Sequence, residues 1–176
     1  MNDVHRLLRL LWDAEIDFVI VGSFAAVLYG SPLVARDLRV CTALTPENIS
    51  KLREALSDID PVHRASGQRL SFLDSPSPEA KLNALHLSTD FGPVDFLGSL
   101  PGAGDFESIR ANAVEVELFG QRCHVISLDD LIHATEALAR DKNQQAVLQL
   151  RAIREKLKVA QASAAAAPVQ PTSDPP

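Results

Sequence analysis

Residues 18–42, FVIVGSFAAVLYGSPLVARDLRVCT, constrain this chain more than any other stretch. Phe18 to Val21 is a continuous apolar run, as expected of a strand covered on both faces. Gly22-Ser23 follows as a tight turn, and Phe24 to Tyr29 reads as a short apolar helix. Gly30-Ser31-Pro32 breaks the chain before a second strand, Asp37 to Thr42. Strand side chains alternate, so Asp37 and Arg39 share one face while Leu38 and Val40 share the other. The stretch therefore places a glycine turn beside a strand that carries an acid and a base on one face.

The flanking segments supply the rest of a single domain. Residues 3 to 14 have the spacing of an amphipathic helix, with Val4, Leu7, Leu8, Leu11 and Trp12 on one side and Asn2 or Asp3 as the cap. Thr45-Pro46-Glu47 opens a helix whose buried stripe is Ile49, Leu52, Leu56 and Ile59. Asp60 to Pro78 is loop around a weak strand, Arg69 to Leu73. Ala84 to Thr89 and Pro93 to Leu97 form a hairpin about Asp90-Phe91-Gly92. Asp105 caps a short helix to about Asn112, and Val114 to Leu118 with Arg122 to Ile126 forms a second hairpin. Ser127 caps another helix, and a last one runs from about Lys142 to Val159. Strands and helices in this irregular order predict a small α/β or α+β domain over residues 1–159. Residues 160–176, rich in alanine and proline, are expected to form a disordered tail.

Composition narrows the partners. Net charge is −6 and pI about 5.3, so no global basic footprint for nucleic acid exists, although a local groove depends on where charge sits. The N-terminal apolar positions are interrupted by Arg6, Arg9, Asp13 and Glu15, which is neither a signal core nor a membrane span. A cytoplasmic location is the expectation, with no membrane partner and with Cys41 and Cys123 reduced and buried. His5, His63, His86, His124 and His133 have no metal-ligand spacing and read as solvated or core histidines.

The glycine turn has its own chemistry. Glycine permits close backbone approach, free N–H groups at a helix start favour phosphate, and the Ser23 hydroxyl adds a donor. Two acids spaced as Asp37 and residue 39 are would hold a divalent metal, but here one of them is a cation.

The order of strand, Gly22-Ser23, helix, Gly30-Ser31 and acid-bearing strand resembles the nucleotidyltransferase superfamily that includes DNA polymerase beta. VGSFAAVLYGSP, RDLRVCTALTPENISKLREAL, TDFGPVDFLGSLPGAGDFESI and VELFGQRCHVISLDDLIHATEALARDK more closely resemble small bacterial members related to AbiEii-type abortive-infection toxins. The resemblance implies a compact fold with a mixed central sheet flanked by helices. It also implies transfer of a nucleotide from a nucleoside triphosphate (NTP) to an acceptor, using Mg²⁺ held by three carboxylates. Carried over by position, Asp37 is the first carboxylate, Arg39 stands at the second, and Asp95 is the third. Gly22 and Ser23 match the triphosphate-gripping pair, with Arg140 and Lys142 as further kept cations.

Departures from the pattern cluster. Besides Arg39, Ala35 replaces a common threonine, Thr135 a usual lysine and Asn143 a frequent aspartate. A guanidinium offers donors only, so Arg39 is expected to pair with Asp37 and Asp95 and to occupy the place of the metal's charge. The implied activity is then impaired nucleotidyl transfer, with tRNA or another nucleic acid as the acceptor. The alternative is a non-catalytic nucleotide-binding or protein-interaction module, related to toxin–antitoxin systems and acting with a partner protein.

Overall fold

A computed structural model of the protein describes residues 3–64, 68–77, 80–138 and 144–166. At its centre lies β1 (Val19–Val21), all three residues of which are fully buried. Beside it run β2 (Leu38–Cys41), antiparallel to β1, and then β5 (Gly92–Leu97), parallel to β2. β4 (Ala84–Thr89) closes a hairpin with β5, and β3 (Val62–His63) forms that edge. On the other side β9 (Gln121–Val125) pairs parallel with β1, and β8 (Val114–Leu118) pairs antiparallel with β9. The result is a seven-stranded mixed sheet of order β3-β4-β5-β2-β1-β9-β8. Helices flank it, as the sequence implies for its α/β class.

Alternation assigns the two faces. Ile20, Val40, Phe96 and Leu85 stand opposite one another across β1, β2, β5 and β4, and all four are buried. Such a row is worth about 1.5–3 kcal/mol per side chain in burial alone. α1 (Val4–Asp13) packs against α3 (Pro46–Leu56), with Leu7, Leu8 and Leu11 of one and Ile49, Leu52 and Leu56 of the other in the core. The caps are the expected ones: Asp3 accepts from Arg6 N–H, Thr45 from Asn48 N–H, and Ser127 from Asp130 N–H.

Several boundaries differ from the sequence reading. α2 begins at Gly22 itself and spans Gly22–Leu28, so strand passes to helix without a separate turn. Arg69 to Leu73 is no strand; only Ser71 makes a bridge, to Val62, and the edge position is taken by β3. Pro101 to Ala103 is the loop of a small hairpin, β6 (Ser99–Leu100) with β7 (Gly104–Asp105), ahead of α4 (Phe106–Asn112). α5 (Leu128–Ala137) follows the second hairpin. α6 (Gln144–Ala165) continues past Val159, where the sequence places the end of the domain. Residues 155–165 are all exposed, so alanine's high helix propensity, rather than packing, accounts for that extension. No helix among the described residues is long and apolar enough to cross a membrane.

Both thiols lie in this core. Burial pushes Cys41 up to about 12, with the Asp105 charge adding to it, and Cys123 up to about 11. Both are expected to resist iodoacetamide at mildly alkaline pH until denaturant is added, as peptide mass mapping will show. Their folded values exceed the ordinary 9.0. The stability they contribute is therefore complete below that pH and declines as pH rises toward the folded values.

Candidate functional site

One residue along from the apolar row, the same four strands carry a different one. Val21, Arg39, Asp95 and His86 stand opposite one another across β1, β2, β5 and β4. Register alone thus sets Arg39 and His86 on either side of Asp95, on the face opposite Val40 and Phe96. Asp37 is not in the strand, as the sequence reading has it, but one residue before β2. It still reaches the same cluster.

Asp95 is 3% exposed, and a carboxylate so buried requires compensation. Three side chains supply it. Arg39 Nε lies 3.2 Å from Oδ2, His86 Nδ1 lies 2.9 Å from Oδ1, and Arg64 Nη2 donates to Oδ1. The same Arg39 Nε donates to Asp37 Oδ2 at 2.9 Å, so one guanidinium spans both acids. Ser23 Oγ faces Asp37 Oδ1 at 3.5 Å, longer than an ordinary O–H···O bond and therefore a weak contact. Every oxygen of the two carboxylates therefore already faces one of this chain's own polar side chains.

Gly22 serves the arginine. Gly22 has φ +69°, and a Cβ placed on it would lie 3.0 Å from Arg39 Cδ. The arginine stem lies against the bare glycine backbone, which holds the guanidinium between the two acids. Beyond this cluster opens a cavity of about 480 Å³, a size typical of small-molecule sites. Gly22, Ser23, Arg39, His86 and Asp95 line it, together with Leu131, Ala134 and Thr135 of α5 and Leu150 of α6.

The structure thus brings together Gly22, Ser23, Asp37, Arg39 and Asp95, while Arg140 and Lys142 lie outside the described residues. Thr135, where relatives' lysine is expected, lines the cavity and donates its hydroxyl to the Leu131 carbonyl at 2.7 Å. Sequence reasoning missed two members of the cluster. His86 was legible: a hairpin turning about Asp90-Phe91-Gly92 pairs it with Asp95. Arg64 was not, because it follows the two-residue strand β3 and reaches the site through tertiary contact.

Mg²⁺ does not fit these residues. It takes near-octahedral oxygen ligation, whereas Asp37 and Asp95 have a guanidinium between them, and their remaining oxygens face Ser23, Arg64 and His86. Among the described residues no group of His, Cys, Asp and Glu is arranged to hold a metal ion.

Gly22→Ala tests the fit between glycine and arginine. A left-handed backbone costs an L-residue about 1–2 kcal/mol, and here the added methyl also displaces Arg39. The variant is expected to lose about that much in urea unfolding, and more than an alanine at Gly30, which has open space around it.

No protein-family model matches the sequence, and no curated protein is significantly similar to it. Solved structures do match. The lincosamide antibiotic adenylyltransferase LnuA, lincomycin-bound, aligns over 85% of this chain and 95% of its own at 14% identity and TM-score 0.56. The solution structure of the antibiotic-resistance factor ANT(2'')-Ia aligns over 91% of each chain at 11% identity and TM-score 0.51. At such identities the likeness is one of fold, and that fold, with its mixed sheet flanked by helices, is the one nucleotidyltransferases use.

Proposed function

We propose that this chain is a nucleotide-binding protein of the nucleotidyltransferase fold in which Arg39 suppresses metal-dependent transfer. The observation that carries the reading is a single Nε lying 2.9 Å from Asp37 and 3.2 Å from Asp95. These are the two acids that the family resemblance assigns to the metal. A fixed cation there neutralises them without an ion, repels a divalent one and offers it no lone pair. A nucleoside triphosphate remains a sensible ligand: Gly22 and Ser23 line the cavity, and Arg140 and Lys142 belong to the same reading as further phosphate contacts. What this chain's residues then do is bind and orient, with no step of transfer.

Among acceptors and partners, a small molecule is better supported than tRNA. The cavity is walled largely by apolar side chains, the chain's charge is −6, and Arg64 and the Nε of Arg39 are turned to carboxylates. The lincomycin bound to LnuA agrees with a small partner. The kinship with AbiEii-type toxins and a co-acting partner protein rest on the sequence segments alone, and the site geometry adds nothing to them.

Arg39→Asp separates a closed site from a working one. The unmodified protein is expected to bind ATP equally well in Mg²⁺ and in EDTA, to incorporate no labelled nucleotide, and to melt at one temperature in both. The variant places three carboxylates together, so Mg²⁺ is expected to raise its melting temperature by several degrees and to make nucleotide binding metal-dependent. Mg²⁺-dependent incorporation by the unmodified protein overturns the proposal.

A further inference from the structure

We infer that the cavity beside Arg39 takes a small amphipathic anion, an aliphatic or aromatic body with one carboxylate or phosphate head, and takes it without metal. This rests on the reading of Arg39 as the group that closes the metal site, and it concerns a second ligand, distinct from the nucleotide, for the cavity that Arg39 lines.

The head follows from a count of donors and acceptors. Asp37 Oδ1 and Oδ2 face Ser23 and Arg39, while Asp95 Oδ1 and Oδ2 face Arg64, His86 and Arg39. A cationic head would meet the Arg39 and Arg64 guanidiniums already paired with these acids. Arg39 is the reverse case. Its Nε serves both acids, and among the described residues nothing accepts from Nη1 or Nη2. Those two nitrogens end a side chain that lines the cavity and is 43% exposed. They form a planar pair of donors whose geometry matches a carboxylate or a phosphate bidentately.

The body follows from the walls. Ala26, Leu97, Leu100, Leu131, Ala134 and Leu150 line the space, and all but half-buried Leu97 are buried. Two of its hydroxyls are partly engaged, Thr135 donating to the Leu131 carbonyl and Ser31 accepting from Leu33 N–H. A polyhydroxylated ligand entering here loses its water partners and finds few replacements. A hydrocarbon or an aromatic ring loses nothing and gains contact with the wall.

The test is calorimetric titration with decanoate, decyl phosphate and AMP, each in EDTA and below any micelle concentration. Decanoate or decyl phosphate is expected to bind one-to-one and more tightly than AMP, and whichever binds better identifies the head as carboxylate or phosphate. Arg39→Gln removes the charged fork and Ala146→Phe, on the α6 wall, fills the space for the body. Each is expected to weaken binding at least tenfold, with circular dichroism confirming the fold. If Arg39→Gln does not fold, Arg39→Lys replaces it under the same tenfold criterion, because it keeps the charge but loses the fork. Failure of both amphiphiles to bind overturns the inference, as does affinity unchanged in either variant. Binding of AMP alone also overturns it while leaving the nucleotide reading intact. Mg²⁺-dependent nucleotide incorporation defeats that reading separately.

Discussion

The buried carboxylate of Asp95 organises this molecule's functional face. Taking a carboxylate out of water costs several kcal/mol even after relaxation, and at 3% exposure water recovers little of it. The compensation comes from three places in the chain: Arg39 on β2, Arg64 just after β3, and His86 on β4. Two of these are fixed by sheet register, since Arg39 and His86 are its direct neighbours on the adjoining strands. A one-residue slip of either strand would send its partner to the apolar face and leave the charge uncompensated. The ion cluster thus specifies strand register more than it adds stability, in keeping with the modest net worth of ion pairs whose arginines are partly exposed.

The same cluster decides what chemistry is available. A site for Mg²⁺ concentrates negative charge and leaves oxygen lone pairs pointing into one space. Here the negative charge is balanced in place, and each carboxylate oxygen already faces a nitrogen donor or the serine hydroxyl. What is left over is donor capacity, on the two Nη groups of Arg39. A cluster of that kind offers an anion a charged fork and offers a cation little.

Much of this was legible in the sequence because it is local. The caps at Asp3, Thr45, Asp105 and Ser127 depend on residues three positions apart, and both hairpins announce themselves by alternation and a turn. The pairing of Arg39 with Asp37 and Asp95 was also within reach, from strand alternation joined to the family resemblance. What escaped was non-local or too short to be periodic. β3 has two residues, β6 and β7 have two each, and no hydrophobic period can be read from such lengths. Arg64 enters the site only because β3 pairs with β4, a contact between segments some 25 residues apart. His86 is the instructive omission. Spacing along the chain reveals nothing about a histidine of this kind, whereas the hairpin register, itself legible, sets it opposite Asp95.

Alternation also explains how the fold can be kept while its chemistry changes. Leu38 and Val40 are fully buried on the face where Ile20, Phe96 and Leu85 complete the core, and residue 39 points away from them. A change of charge at position 39 therefore leaves the packing that defines β2 untouched. It alters only the neighbours across the functional face: the two acids, Gly22 and whatever enters the cavity. Gly22 has no side chain, so the arginine stem lies directly against its backbone. An arginine on the packed face would instead bury an unpaired charge and cost the fold. The two faces of one four-residue strand separate what makes the protein fold from what the protein can bind.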